Sequence, residues 1–124
     1  MHLKETEGHI DRLETILADL GETPQGKKCR GMEGLLEEGS EMLRHVAVPA
    51  LDAAIVSSGQ RVAHYEISGY GVIQEWAKTL GYRAAEKLIA KTLDEEKATN
   101  EKLSALAKGG INTTASKGEG IPIR

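Results

Sequence analysis

The sequence of 124 residues contains no phenylalanine, and aromatic residues make up only 3% of it. A hydrophobic core must therefore come from leucine, isoleucine, valine, alanine and methionine, and the length suffices for one domain. There is a single cysteine, Cys29, which excludes an intramolecular disulfide and favours a reducing compartment. The cations beside it in Lys27-Lys28-Cys29-Arg30 would lower its pKa. An incidental loop thiol is the favoured alternative.

The charge pattern lacks a basic excess, and the apolar runs are short. The net charge is −3, so nothing in the composition favours binding to nucleic acid. The apolar runs are too short for a membrane span, and the first residues do not resemble a signal peptide. We therefore expect a cytoplasmic protein with neither a nucleic-acid nor a membrane partner.

The periodicity of the apolar residues predicts an all-α protein with long antiparallel helices. Glycines and prolines divide the sequence into four helical segments: about 2–20, a short helix from Met32 to Val46, about 49–81 and about 83–108. We expect residues 1–108 to form one helical domain. Residues 109–124 begin with a Gly-Gly pair, are polar and glycine-rich, and are predicted to be a flexible tail.

The third segment carries a glutamate in the middle of its apolar face. At 100° per residue one side of this helix collects the residues Leu51, Ile55, Gly59, Val62, Glu66, Gly69, Ile73, Ala77 and Leu80. A carboxylate on a core-facing stripe is costly unless it is paired or coordinates a cation. The fourth segment repeats the pattern with Glu96 near its centre. Two inward carboxylates on two long helices indicate a metal site inside a bundle.

The first segment adds Glu5 and His9, one turn apart, to this set of candidate ligands. Carboxylates and an imidazole from three helices form an oxygen-and-nitrogen ligand set for iron, manganese or zinc. The spacing of four departs from the usual Glu-x-x-His motif. Each residue also has a simpler interpretation: a buried histidine is often hydrogen-bonded in the core, and either inward glutamate could pair with Arg61 or Tyr70.

Four blocks of the sequence resemble the YciE/YciF family of ferritin-like bacterial proteins. They are HLKETEGHIDRLE, GKKCRGMEGLLEEG, QRVAHYEISGYG and TLDEEKATNEKL, in family order and with similar spacing over residues 2–107. The resemblance implies a ferritin-like fold, a dimer and a dinuclear metal centre with carboxylate and histidine ligands, which we expect to hold iron or manganese. By position, the matching ligand candidates are Glu5, His9, Glu66 and Glu96.

Two departures from the family bear on function. The resemblance implies that the family's first long helix, with a further acidic residue, is absent from this chain. Ala63 also stands where a family carboxylate is common. The leading hypothesis is a metal-binding protein of the bacterial stress response that reacts with oxygen or peroxide. The alternative is a non-catalytic dimeric helical protein, structural or interacting, with a degenerate metal site. We expect a homodimer because the apolar helix faces exceed what one short chain can cover.

Overall fold

The computed structural model describes residues 2–118, and every regular element within them is helical. Four long helices follow one another along the chain: α1 (His2–Asp19), α2 (Arg30–His45), α3 (Leu51–Thr79) and α4 (Arg83–Leu106). The all-α prediction and the order of four helices are confirmed. None of the helices in this part of the chain is both long enough and apolar enough to cross a membrane.

Glycines end α1 and the long helix α3 in the same way. Gly21 and Gly81 have positive φ angles of 74° and 77°. The next residue then returns a hydrogen bond to the helix, from Glu22 N to Leu17 O at 2.8 Å and from Tyr82 N to Ala77 O at 2.9 Å. These are Schellman ends, which need a left-handed residue that glycine adopts without strain.

The chain breaks its helix at the predicted Gly109-Gly110 pair, but it is helical again beyond that point. A π turn covers Ala107–Ile111, and a short helix α5 covers Asn112–Ser116. The kink that separates them falls at Gly110, whose φ of 149° is accessible to glycine. Up to residue 118 the predicted tail is thus largely helical, whereas Ile121, Pro122 and Ile123 lie outside the described residues. Its flexibility stays a prediction.

The chain divides into two compact units, and each takes part of α3 and α4. The first joins the N-terminal residues through Lys27 with Glu66–Thr99, and the second joins Lys28–Tyr65 with the chain from Asn100 onward. A small core in the first unit contains the buried side chains of Ile16, Ala77 and Ile89. The partly buried residues packed against that core are Tyr70, Ile73, Ala85 and Leu88.

The buried side of α3 coincides with the predicted stripe only in part. Val56, Ala63 and Ala77 are 6%, 3% and 6% exposed and recur at multiples of seven residues. Ile55 and Leu80, predicted to be inside, are 48% and 65% exposed. Of the three buried residues, only Ala77 belonged to the predicted stripe. The small side chains of Ala63 and Ala77 permit close approach of neighbouring helices.

The buried side of α1 also differs from the prediction. The apolar periodicity of the first segment places Ile10 and Leu20 on its inward face, but they are 51% and 44% exposed. The buried residues of α1 are instead His9 and Ile16, which lie seven residues apart. The same rotation that exposes Ile10 places the imidazole of His9 on the inner side of the helix.

Candidate metal centre

Three side chains from three helices meet in the first unit. His9 on α1, Glu66 on α3 and Glu96 on α4 each offer a ligand atom, and these atoms lie within 4.8 Å of one another. His9 and Glu96 are buried at 3% exposure, and Glu66 is partly buried. The structure thus brings together three of the four predicted ligands. Glu66 and Glu96 could be found in the sequence because each interrupts an apolar helical face, and His9 because it follows Glu5 by one turn.

Both ring nitrogens of His9 are buried without a hydrogen-bond partner. Nδ1 lies 3.2 Å from Oε1 of Glu96, and Nε2 lies 3.8 Å from Oε2 of Glu95. Burial lowers the pKa of His9 below its ordinary value of 6.5. The imidazole is therefore neutral at pH 7, which is the form that binds metal ions.

The two ligand carboxylates, Glu66 and Glu96, lie together in the protein interior. Burial raises the pKa of Glu96 to about 8, and a hydrogen bond with Glu66 and the charge of Glu66 add to the rise. Among residues 2–118 neither carboxyl group forms a salt bridge with a lysine or an arginine. The pair can be neutralised by a shared proton or by a metal cation.

Glu95 forms an ion pair beside the site that sequence analysis missed. Arg12 donates to both of its carboxylate oxygens, at 2.7 Å to Oε1 and 3.1 Å to Oε2. The Nη1 of Arg12 also donates to Thr92 Oγ1 at 3.0 Å. The Arg12 hydrogen bonds hold the pKa of Glu95 below its ordinary value. The only signal in the sequence was the spacing of Arg12, one turn beyond His9.

Glu5, the fourth predicted ligand, lies outside the three-residue group. Its Oε2 accepts a hydrogen bond of 3.4 Å from Thr99 Oγ1 and lies 3.8 Å from Nδ1 of His2. Its charge contributes to the raised pKa of Glu96, after the larger effects of burial and Glu66. Glu5 therefore influences the site electrostatically, and its role as a ligand stays a prediction.

The positions of Gln60 and Tyr70 near Glu66 in the sequence predict that both form hydrogen bonds to it, but only Tyr70 lies beside the site. Its ring meets that of His9 edge-on, with centroids 6.3 Å apart. Burial, followed by the charges of Glu66 and Glu96, raises the pKa of Tyr70 to about 12. The expectation for Gln60 was wrong, because its amide donates to Ser104 Oγ at 2.7 Å and to Asn100 Oδ1 at 3.3 Å.

Cys29 lies in the second unit, at the start of α2, and contacts a tyrosine of α3. Its Sγ is 3.2 Å from the hydroxyl of Tyr65. This hydrogen bond and the backbone N–H groups of Met32 and Gly31 lower the pKa of the exposed thiol. The lowering was expected from neighbouring cations, but its principal cause is Tyr65.

Comparison with known proteins identifies relatives over most of the chain. Residues 1–116 match the family model of the domain of unknown function DUF892. Protein YciF of Escherichia coli K12 is 41% identical over 116 residues, which are 92% of this chain and 70% of that protein.

Two solved structures share the fold. The E. coli stress protein YciF has a TM-score of 0.83 at 42% identity, over 90% of this chain and 71% of that one. YcfI of Rhodopseudomonas palustris, suggested to be a structural protein, has a TM-score of 0.80 at 41% identity. That match covers 83% of this chain and 66% of that one, so the chain spans slightly less than two thirds of its length.

Proposed function

Because this chain belongs to the DUF892 family, we propose that it is a ferritin-like stress-response protein that holds a metal at His9, Glu66 and Glu96. The stress role is taken from the E. coli relative, whose structure is that of a stress protein. The metal role is supported by the three ligand atoms that lie within 4.8 Å of one another.

The observation that carries the proposal is the unsatisfied imidazole of His9. Its side chain is 4% exposed, and neither nitrogen has a hydrogen-bond partner. Leaving such a group unpaired costs about 1–3 kcal/mol. A metal bound to one nitrogen would offset that cost and would also neutralise the two adjacent carboxyl groups.

The ligand set favours iron or manganese. Two carboxylates and one imidazole are the donors of many iron and manganese sites, and three protein ligands leave coordination positions open. Iron or manganese would supply Lewis-acid and redox chemistry toward oxygen or peroxide. The chain itself contributes a water-poor environment, and Glu96 gives up its proton when a cation enters.

Metal analysis of the protein purified without chelators tests the proposal. We expect iron or manganese at about one equivalent per chain in the wild type and at much less in Glu96→Gln. The matched control is Glu101→Gln, an exposed position on the same helix, which should keep its metal. Anomalous scattering from a crystal would locate the ion. A wild-type protein without bound metal after exposure to both ions contradicts the proposal.

One observation favours the alternative of a non-catalytic structural or interaction protein with a degenerate metal site. Ala63, one turn before Glu66, is 3% exposed and offers no ligand atom. The resemblance places a carboxylate there, so this chain has fewer donors than a dinuclear centre needs. YcfI, the relative suggested to be a structural protein, is also consistent with such a role. A folded protein that binds neither iron nor manganese would support this alternative.

A homodimer remains part of the proposal for either function. Val72 and Trp76 on the outer side of α3 and Leu80 directly after its end are 45%, 63% and 65% exposed. These residues follow helical spacing, so they form one apolar stripe, here called the Trp76 stripe. Contiguous apolar surface of this kind is typical of an interface between proteins. A second copy of the chain is the simplest partner, through a twofold contact.

A further inference from the structure

We propose that Glu95, fixed by Arg12, acts as a positioning residue that receives the Nε2–H of His9 and leaves Nδ1 to bind the metal. The inference rests on the metal site proposed above and assigns each nitrogen of the imidazole a separate role. A metal-bound histidine commonly donates its other N–H to a carboxylate, which fixes the tautomer and orients the ring.

The two nitrogens of His9 face different carboxyl groups. Nδ1 lies 3.2 Å from Oε1 of Glu96, a member of the three-residue group. Nε2 lies 3.8 Å from Oε2 of Glu95, outside that group. The direction of an N–H on Nδ1 does not suit a hydrogen bond to Glu96, although the distance would allow one. Nδ1 of His9 therefore lies where it can bind a metal together with Oε1 of Glu96.

Glu95 is suited to accept a hydrogen bond and poorly suited to bind a cation. Its two oxygens receive the guanidinium of Arg12 at 2.7 and 3.1 Å, so its charge is already paired. Each carboxylate oxygen has two lone pairs, and Oε2 can still accept a second hydrogen bond. Thr92 Oγ1 accepts from the same guanidinium at 3.0 Å and holds it in place.

A small movement would complete the hydrogen bond between His9 and Glu95. Their separation of 3.8 Å exceeds a usual N–H···O distance by about 0.8 Å. The ring of Tyr70 meets the imidazole of His9 edge-on, with the two ring centroids 6.3 Å apart, and limits the space on that side. We expect the ring to rotate toward Glu95 when Nδ1 binds a metal.

The first test is the tautomer of His9, read from the ¹⁵N shifts and long-range couplings of the imidazole. In the metal-free wild type at neutral pH the proton should reside on Nε2. With Zn²⁺ as a diamagnetic probe, Nδ1 should show the shift of a metal-bound nitrogen while Nε2 keeps its proton. Glu95→Gln and Arg12→Gln should both weaken the preference for the Nε2–H tautomer.

The second test is the affinity for Zn²⁺. Loss of a carboxylate that supports a metal-bound histidine typically lowers affinity 10- to 100-fold, so we expect a fall of about that size in Glu95→Gln. The control is Asp94→Asn, an exposed neighbour on α4, which should bind as the wild type does. Circular dichroism of each variant establishes that it is folded.

The outcomes separate the inference from the proposed function. Zn²⁺ bound through Nε2, or a Glu95→Gln variant with unchanged tautomer and affinity, overturns the positioning role and leaves the metal site intact. A wild-type protein with the Nε2–H tautomer that binds no Zn²⁺, iron or manganese overturns the proposed function instead. The tautomer of the wild type needs no variant, so unfolding of a mutant does not remove the test.

Discussion

Nδ1 of His9 lies 3.2 Å from Oε1 of Glu96, and both side chains are 4% exposed. A neutral imidazole and a protonated carboxyl group are compatible with burial, whereas two charged groups without further partners would be costly there. In the metal-free protein Glu96 therefore holds a proton at neutral pH, and it must lose that proton when a cation binds. Stability, proton content and metal content are consequently linked at this site.

The raised pKa of Glu96 predicts that the metal-free protein loses stability as the pH rises. The carboxyl group has an ordinary pKa of 4.5 and a folded-state pKa of about 8. Between these values the folded state retains a proton that the unfolded chain releases, so the free energy of unfolding falls with pH. The slope is at most about 1.4 kcal/mol per pH unit, and the stability levels off above the folded-state pKa.

Urea unfolding of wild type and Glu96→Gln in the presence of a chelator measures this effect. The wild type should lose stability relative to the variant between pH 6.5 and pH 8. Below the ordinary His9 pKa of 6.5, the lowered pKa of His9 acts in the opposite sense. Glu101→Gln serves as the control and should follow the wild type. If the free energy of unfolding depends on pH in the same way for wild type and Glu96→Gln, the pKa of Glu96 is not raised in the folded protein.

Removal of the metal should lower the melting temperature. A ligand that binds only the folded state at 100 times its Kd stabilises that state by about 2.7 kcal/mol. For a chain of this size we expect a shift of several degrees. Differential scanning calorimetry before and after dialysis against a chelator measures it, and re-addition of iron or manganese should restore the original value.

Glu66→Gln provides the control for this experiment. It removes one ligand charge from the three-residue group, so its melting temperature should respond little to the chelator or to added metal. A shift in the variant as large as that of the wild type would place the stabilising metal elsewhere in the protein.

The sequence was sufficient for the helices and for much of the site, since both depend on local patterns. Helix ends at Gly21 and Gly81 follow from the conformational freedom of glycine, and both have positive φ. Glu66 and Glu96 could be selected because each is a polar residue on an apolar helical face, and His9 because it lies one turn after Glu5. Burial of polar groups is uncommon enough to be informative.

The rest depends on which helices become neighbours and at what rotation. Arg12 and Glu95 are both common surface residue types, and only their approach across two helices makes them a pair. Leu80 is a large apolar residue of the predicted stripe, yet it is 65% exposed. The periodicity of the sequence does not show how each helix is rotated about its axis against its neighbours.

The reactivity of Cys29 should depend on the hydroxyl of Tyr65. That hydroxyl is the main cause of the lowered thiol pKa. In Tyr65→Phe the pKa should rise, so less thiolate is present at pH 7 and alkylation should slow several-fold. The rate of reaction with iodoacetamide as a function of pH measures the change.

Tyr82→Phe, at another half-exposed tyrosine (45% exposed), should leave that rate unchanged. If Tyr65→Phe reacts as fast as the wild type across the pH range, the backbone N–H groups at the start of α2 account for the thiol pKa. In that case the hydrogen bond between Sγ and the Tyr65 hydroxyl does not lower the thiol pKa.

The Trp76 stripe should determine the oligomeric state. Trp76 and Lys78 are neighbours near the end of α3, and both side chains are highly exposed. Trp76→Gln removes a large apolar contact of the kind that contributes strongly to interfaces, whereas Lys78→Gln leaves the stripe intact. Multi-angle light scattering at micromolar concentration should show a dimer for wild type and Lys78→Gln, and a shift toward monomer for Trp76→Gln. A monomeric wild type would exclude the dimer, and a fully dimeric Trp76→Gln would place the interface on another surface.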